Sequence, residues 1–249
     1  MINKIDKQFY FFVFIVFVIN LLQSYFTNLH DDEAYYWMYS RVLAWGYFDH
    51  PPMVAVLIKA GYALFPNELG VRLFFAVMQA LTLIVIWKLV KQYTNDPVLV
   101  IITLMSVVLI QLYGFTATPD APLLFFATLF LYFYKKYLTQ DTFYNALMLA
   151  LTASAMVYSK YHGIIFIFFI VISNLKLLGR KSFWGIALLS TLLIFPHVIW
   201  QINNDLPSIR YHFFDRSKGA YQLKNTLNFL YSQPLIAGIL SGVLMFFAA

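Results

Sequence analysis

His30-Asp31-Asp32-Glu33-Ala34-Tyr35-Tyr36-Trp37, continued by Gly46-Tyr47-Phe48-Asp49-His50-Pro51-Pro52-Met53, is the polar stretch around which the rest of the chain is arranged. It follows directly on the apolar run Phe9 to Leu22, and it holds four of the 11 acidic residues in the chain. Acids cost several kcal/mol inside a bilayer, so this stretch belongs at a membrane edge or in a polar cavity. An acidic, Tyr-rich loop at the mouth of a membrane bundle is a place for chemistry.

Composition supports that setting. The 249 residues are 61% hydrophobic and 11% charged, where a soluble domain carries about 25% charged residues. A soluble core of this length cannot bury so much apolar surface, so the class is an all-α, polytopic transmembrane bundle. The net charge of +6 comes without a basic run; it reflects loop orientation and gives no sign of a nucleic-acid partner. The absence of cysteine excludes disulfides and thiolate metal sites. Lys4 and Lys7 precede a bulky run without a small-residue cleavage site, which predicts a retained first span rather than a signal peptide.

Hydropathy places about eight spans, near 8–27, 70–90, 97–114, 121–138, 142–158, 163–178, 183–200 and 234–249, each close to the roughly 17–25 residues a crossing needs. They form a single domain, 1–249, with two larger outer loops, 28–69 and 201–233. Within the first loop, Asp32 to Trp45 and Pro52 to Leu64 read as short amphipathic helices lying at the interface, joined by a turn from Gly46 to Pro51. With the N-terminus inside, nine cations and three acids fall inside, against eight of each outside. The inner loops are then short and basic, and every polar cluster is outside, as are all five histidines. The chain stops at Ala249 inside an apolar run with no flanking charge, which reads as a partial chain.

Four groups of residues are placed to act. Asp31, Asp32 and Glu33 open a helix, where acids cap free N–H groups and meet the positive dipole end. Asp32, Tyr36 and Tyr39 stand at i, i+4 and i+7, so one face also carries a carboxylate backed by phenols. Such a face can hydrogen-bond a sugar or its phosphate, and its aspartate can act as a general base on a hydroxyl. Thr116-Ala117-Thr118-Pro119-Asp120-Ala121-Pro122 opens the fourth span: Thr118 fits an N-cap and Pro119 the first helical position, but Asp120 also puts a second acid at the same height. Ser159-Lys160-Tyr161-His162-Gly163 closes the fifth span; Lys160 complements a helix C-terminus, and with His162 it can bind an anion. Arg210, His212 and Arg216 can do the same or meet lipid headgroups. His50 is held in a rigid turn before two prolines, and no HExxH-type spacing points to a metal.

Taken in order, Asp32-Glu33-Ala34-Tyr35-Tyr36, Gly46 to Met53, Thr118 to Pro122 and Ser159 to Gly163 resemble the bacterial GT-C membrane glycosyltransferases, in the branch related to protein O-mannosyltransferases and lipid A aminoarabinose transferases. Pro196-His197 and Trp200-Gln201 to Asn204 also look like that branch. The resemblance covers the chain but only the N-terminal half or so of a usual member. It implies a sugar donor linked to polyprenyl phosphate and a lipid, glycan or protein acceptor. It further implies an inverting displacement at the outer face of a bacterial inner membrane; no cofactor is assigned, and the residues themselves show no metal-binding spacing. By motif match the catalytic acids are Asp32, as base, and Asp120. The implied substrate contacts are Asp31, Glu33, Tyr35, Tyr36, Asp49, His50, Lys160, His162, Arg210 and Arg216. The aminoarabinose transferases usually carry an Arg near the position of Tyr35 and Glu-x-Lys-Pro-Pro where Asp49-His50-Pro51-Pro52 stands here, so their phosphate contacts and sugar do not carry over. Two other classes fit a polytopic chain. A transporter or flippase calls for mid-span charges or inverted repeats, whereas the polar residues here collect at span ends. A non-catalytic polyprenyl-phosphate-binding protein is separated from an enzyme by a sugar-transfer assay.

Overall fold

The structure, a computed structural model, describes residues 4–215 and 221–236 together with Gly238 and Ser241. Its described residues form helices and turns without a strand. The helices in chain order are α1 (Lys4–Phe26), α2 (Asp31–Arg41), α3 (Met53–Leu64), α4 (Glu68–Val90), α5 (Pro97–Ser106), α6 (Val108–Leu112) and α7 (Asp120–Thr139). They continue with α8 (Phe143–Ser159), α9 (His162–Ser173), α10 (Lys181–Asn203), the short α11 (Pro207–Arg210) and α12 (Leu223–Ile236). Helices α1, α4 and α10, each of 23 residues, are long and apolar enough to cross a membrane.

Helix α4 is the hub and packs against α1, α3 and α7. At one end Phe9 stacks on Trp87, with ring centroids 4.7 Å apart, and the Trp87 indole N–H donates to Asp6 at 2.7 Å. Midway, the Asn20 amide donates to Gln79 at 2.9 Å and Gln79 donates to the Ile110 carbonyl at 3.2 Å. Both side chains are buried, and such polar contacts fix helix register where packing alone has little preference. At the other end α3 and α4 approach so closely that a Cβ on Gly61 would strike the Gly70 carbonyl. Packing of α7 against α8 and of α8 against α10 completes the bundle.

Several expected boundaries move. In the run 163–178, α9 stops at Ser173 and a 3-10 turn, Leu175–Gly179, follows. The run 97–114 is broken at Val107 into α5 and α6. The break removes the i+4 amide that would serve the Leu104 carbonyl; the Val107 N–H takes it at 3.2 Å, and the Gln111 amide also reaches it at 3.4 Å. Helix α2 stops at Arg41 instead of Trp45, because the Tyr47 hydroxyl folds back and donates toward the Tyr39 and Val42 carbonyls. Helix α12 begins at Leu223, inside the segment read as outer loop, and most of the expected span 234–249 lies outside the described residues.

Candidate active site

The end of the bundle where α2 begins gathers most of the polar side chains. Helix α2 opens on His30, whose N–H donates to Glu33 Oε2 at 3.0 Å. That places Asp31 and Asp32 in the first turn, exposed. Neither carboxylate accepts a hydrogen bond among the described residues, so the dipole favours them but no capping bond uses them up. Glu33 points the other way, 1% exposed. The Arg72 Nε donates to Glu33 Oε1 at 2.7 Å, a terminal nitrogen of the same guanidinium reaches Oε2, and the Ala117 N–H donates to Oε1 at 2.8 Å. Arg72 spends its remaining N–H groups on the carbonyls of Ser24, Thr27 and Asn28. Glu33, expected among the substrate contacts, is thus an internal strut tying α1, α2, α4 and the Ala117 loop together. Burial alone would raise its pKa; the bonds from Arg72, His30 and Ala117 hold it below the usual value.

The next turn of α2 carries the phenols. Tyr35 and Tyr39 touch through their hydroxyls, and both donate to Asp49 Oδ1, at 3.2 and 3.0 Å. Tyr39 stacks on Tyr47 at 4.1 Å, which keys the Gly46–His50 turn to the helix. Tyr36 lies inside, 8% exposed, edge-on to His50 at 5.4 Å. Burial first, then the charges of Asp49, Asp32 and Asp120, push its pKa well up, so it remains a neutral donor. His50 Nε2 stands 3.6 Å from Asp49 Oδ2, while its Nδ1 is buried without a partner among the described residues. Burial lowers the His50 pKa and Asp49 pulls against it; the net effect is a neutral imidazole at pH 7.

Lys160 and Asp120 meet across α8 and α7. The ammonium donates to both carboxylate oxygens at 2.8 Å. Asp120 opens α7 directly after Pro119, and Thr118, expected as the cap, keeps a buried hydroxyl without a partner among the described residues. An ammonium has three N–H groups and two face Asp120, which leaves one for an incoming oxygen. His162 begins α9 and is exposed; Arg210 is exposed at the end of α11; Arg216 lies outside the described residues.

The second outer segment closes over the turn. His197 on α10 reaches the Trp45 carbonyl at 2.6 Å, Ser208 donates to the Tyr47 carbonyl at 2.9 Å, and His212 contacts the Asp49 carbonyl at 2.9 Å. The structure therefore brings together Asp32, Tyr35, Tyr36, Asp49, His50, Asp120 and Lys160. Arg72 and His197 escaped the sequence reading as parts of the site. Arg72 had a signal, since a lone Arg beginning an apolar helix is costly unless paired. Among the described residues no three His, Asp or Glu side chains stand as a metal site. The open groove lined by Asp141, Phe143, Ala146, Gly185 and Leu189 is apolar and lies at the opposite end, where α8 begins.

A family model described as dolichyl-phosphate-mannose-protein mannosyltransferase matches residues 49–200, starting at Asp49 and downstream of Asp32. An uncharacterized protein of Aquifex aeolicus is 26% identical over 156 residues, which cover 58% of this chain and 30% of that protein. Lipid A galacturonosyltransferase RgtD of Rhizobium johnstonii is 24% identical over 198 residues, covering 74% of this chain and 41% of the relative. The chain thus spans less than half the length of either curated relative. No solved structure matches.

Proposed function

The chain belongs to the dolichyl-phosphate-mannose-protein mannosyltransferase family of GT-C glycosyltransferases, and from that premise we propose that it transfers a sugar from a polyprenyl-phosphate donor to a lipid, glycan or protein hydroxyl. In this reading it is a multi-pass protein of a bacterial inner membrane, with about eight spans and a cytoplasmic N-terminus, and the carboxylate end described above faces outward. One observation carries the reading: an unbonded acid, Asp32, and a cation with a spare donor, Lys160, flank one cluster of phenols and carboxylates.

The chemistry is a single displacement. Asp32 takes the proton of the acceptor hydroxyl as that oxygen attacks the anomeric carbon. The bond from that carbon to the phosphate oxygen breaks, and its electron pair leaves with the polyprenyl phosphate. Negative charge grows on the leaving phosphate, where the third N–H of Lys160 offers a charge-assisted bond. Asp120 holds Lys160 in place, and the Tyr35, Tyr39 and Asp49 group supplies hydroxyl and carboxylate partners for the sugar. Arg210, Arg216 and His162 remain candidates for the outer rim of the phosphate site, and Asp31 flanks the base.

The test is sugar transfer in proteoliposomes by the purified protein that carries this chain, with a radiolabelled polyprenyl-phosphate sugar as donor. The expected result is release of polyprenyl phosphate with inversion at the anomeric carbon. Polyprenyl-phosphate binding without release would leave a lipid-phosphate-binding protein instead.

A further inference from the structure

Pro196-His197 and Trp200-Gln201 take no part in the displacement just described, yet His197 and Gln201 belong to one connected chain of side-chain bonds. His197 is buried on α10, 4% exposed. Its Nδ1 is 2.6 Å from the Trp45 carbonyl, which can only accept, so Nδ1 carries the proton. In the neutral ring Nε2 is then an acceptor, and it takes the Tyr161 hydroxyl at 3.2 Å. Tyr161 in turn accepts from the Gln201 amide at 2.9 Å, and burial pushes its pKa up to about 12, which keeps the phenol protonated as the chain requires. The same Gln201 amide reaches Ser208 at 2.8 Å, and Ser208 donates to the Tyr47 carbonyl at 2.9 Å. The chain of bonds starts at the carbonyl of Trp45 and returns to the carbonyl of Tyr47, and Gly46 lies between them. A Cβ on Gly46 would strike the Trp200 ring, so the backbone of the turn rests directly on α10.

We infer that His197 is a positioning residue: through Tyr161, Gln201 and Ser208 it holds the turn Gly46–His50 against the end of α10, and so fixes where Asp49 and His50 stand relative to the tyrosines of α2. The bond to Trp45 spans 152 positions in sequence, so no local preference of the turn replaces it. The consequence for sugar transfer rests on the function proposed above; the positioning contact does not.

The experiment uses the full 249-residue chain with His197→Phe, which keeps a ring without the bonds, and His197→Asn, whose side-chain amide can replace the Nδ1 donor. Amide hydrogen exchange of residues 44–50 is read by mass spectrometry, and single-turnover transfer and polyprenyl-phosphate affinity are measured on the same preparations. Loss of a buried bond with its acceptor left behind is expected to speed exchange in His197→Phe by about tenfold or more. His197→Asn should return it close to wild type. Transfer should follow the same order while polyprenyl-phosphate affinity stays near wild type. If His197→Phe does not fold, Gln201→Met cuts the chain two bonds further back and carries the same expectation. Unchanged exchange in His197→Phe overturns the inference, and so does equal loosening in Phe and Asn variants, which would make ring volume the cause. No transfer by wild type with the exchange pattern as expected would remove the glycosyltransferase reading alone.

Discussion

Arg72 grips Glu33 with two nitrogens across 39 positions of sequence, and both residues are buried to 2% exposure or less. The pair is the joint between the first span, the start of α2 and the loop that leads into α7. Replacing Glu33 with Gln leaves a guanidinium buried without its counter-charge. The expected cost is about 3–5 kcal/mol, read as a lower thermal midpoint of the purified protein. Because the Glu33 pKa is depressed in the fold, its stabilisation is present above the unfolded value, near 4.5, and is lost as pH falls through the folded value. Wild type should therefore lose more stability than Glu33→Gln on acidification below about pH 4.5. Parallel pH curves for the two proteins would contradict this role.

The Lys160–Asp120 pair makes opposite predictions for its two members. Lys160→Ala should weaken polyprenyl-phosphate binding by about 1.5–3 kcal/mol through loss of a charge-assisted bond. Lys160→Arg should restore part of it, since charge is kept and geometry is not. Asp120→Asn removes the counter-charge that Lys160 now shares, so it should bind polyprenyl phosphate at least as tightly as wild type while transferring sugar more slowly. Equal weakening in Lys160→Ala and Asp120→Asn, measured by titration with polyprenyl phosphate, would show that the pair acts only as a strut.

Sidedness follows from the ends of the helices. Gln140 ends α7 on the side away from the carboxylates, and Asn204 ends α10 beside them. Single cysteines at these two positions should react with a membrane-impermeant reagent from opposite sides of intact vesicles. Labelling of both from one side would break the topology and the outward-facing site with it.

What could be read from the sequence follows from range. The acids at 31–33 announced the start of α2, and Gly46 and the prolines at 51 and 52 announced the turn before α3, because these are local effects of helix dipole and backbone dihedrals. The family resemblance drew on the same short motifs. Pairings over long separations stayed hidden: Asp120 and Lys160 were each legible as a helix-end charge, but not as partners 40 positions apart. Glu33 looked like its neighbours Asp31 and Asp32, yet one helical step of about 100° turned it inward to Arg72. The break at Val107 also lay beyond reach, since the run from Pro97 to Ile110 is apolar but for Thr103 and Ser106, and the compensating contact comes from the Gln111 side chain.

In the proposed displacement Asp32 takes the acceptor proton. Asn is nearly isosteric with Asp and keeps the local backbone preference at a helix start, but its amide accepts no proton at working pH. Single-turnover sugar transfer at saturating donor, compared among wild type, Asp31→Asn and Asp32→Asn, tests this most directly. Both variants should fold and bind polyprenyl phosphate nearly as wild type. Transfer should fall about 10²-fold or more in Asp32→Asn and much less in Asp31→Asn. Near-wild-type transfer by Asp32→Asn, or a larger loss in Asp31→Asn, would contradict it.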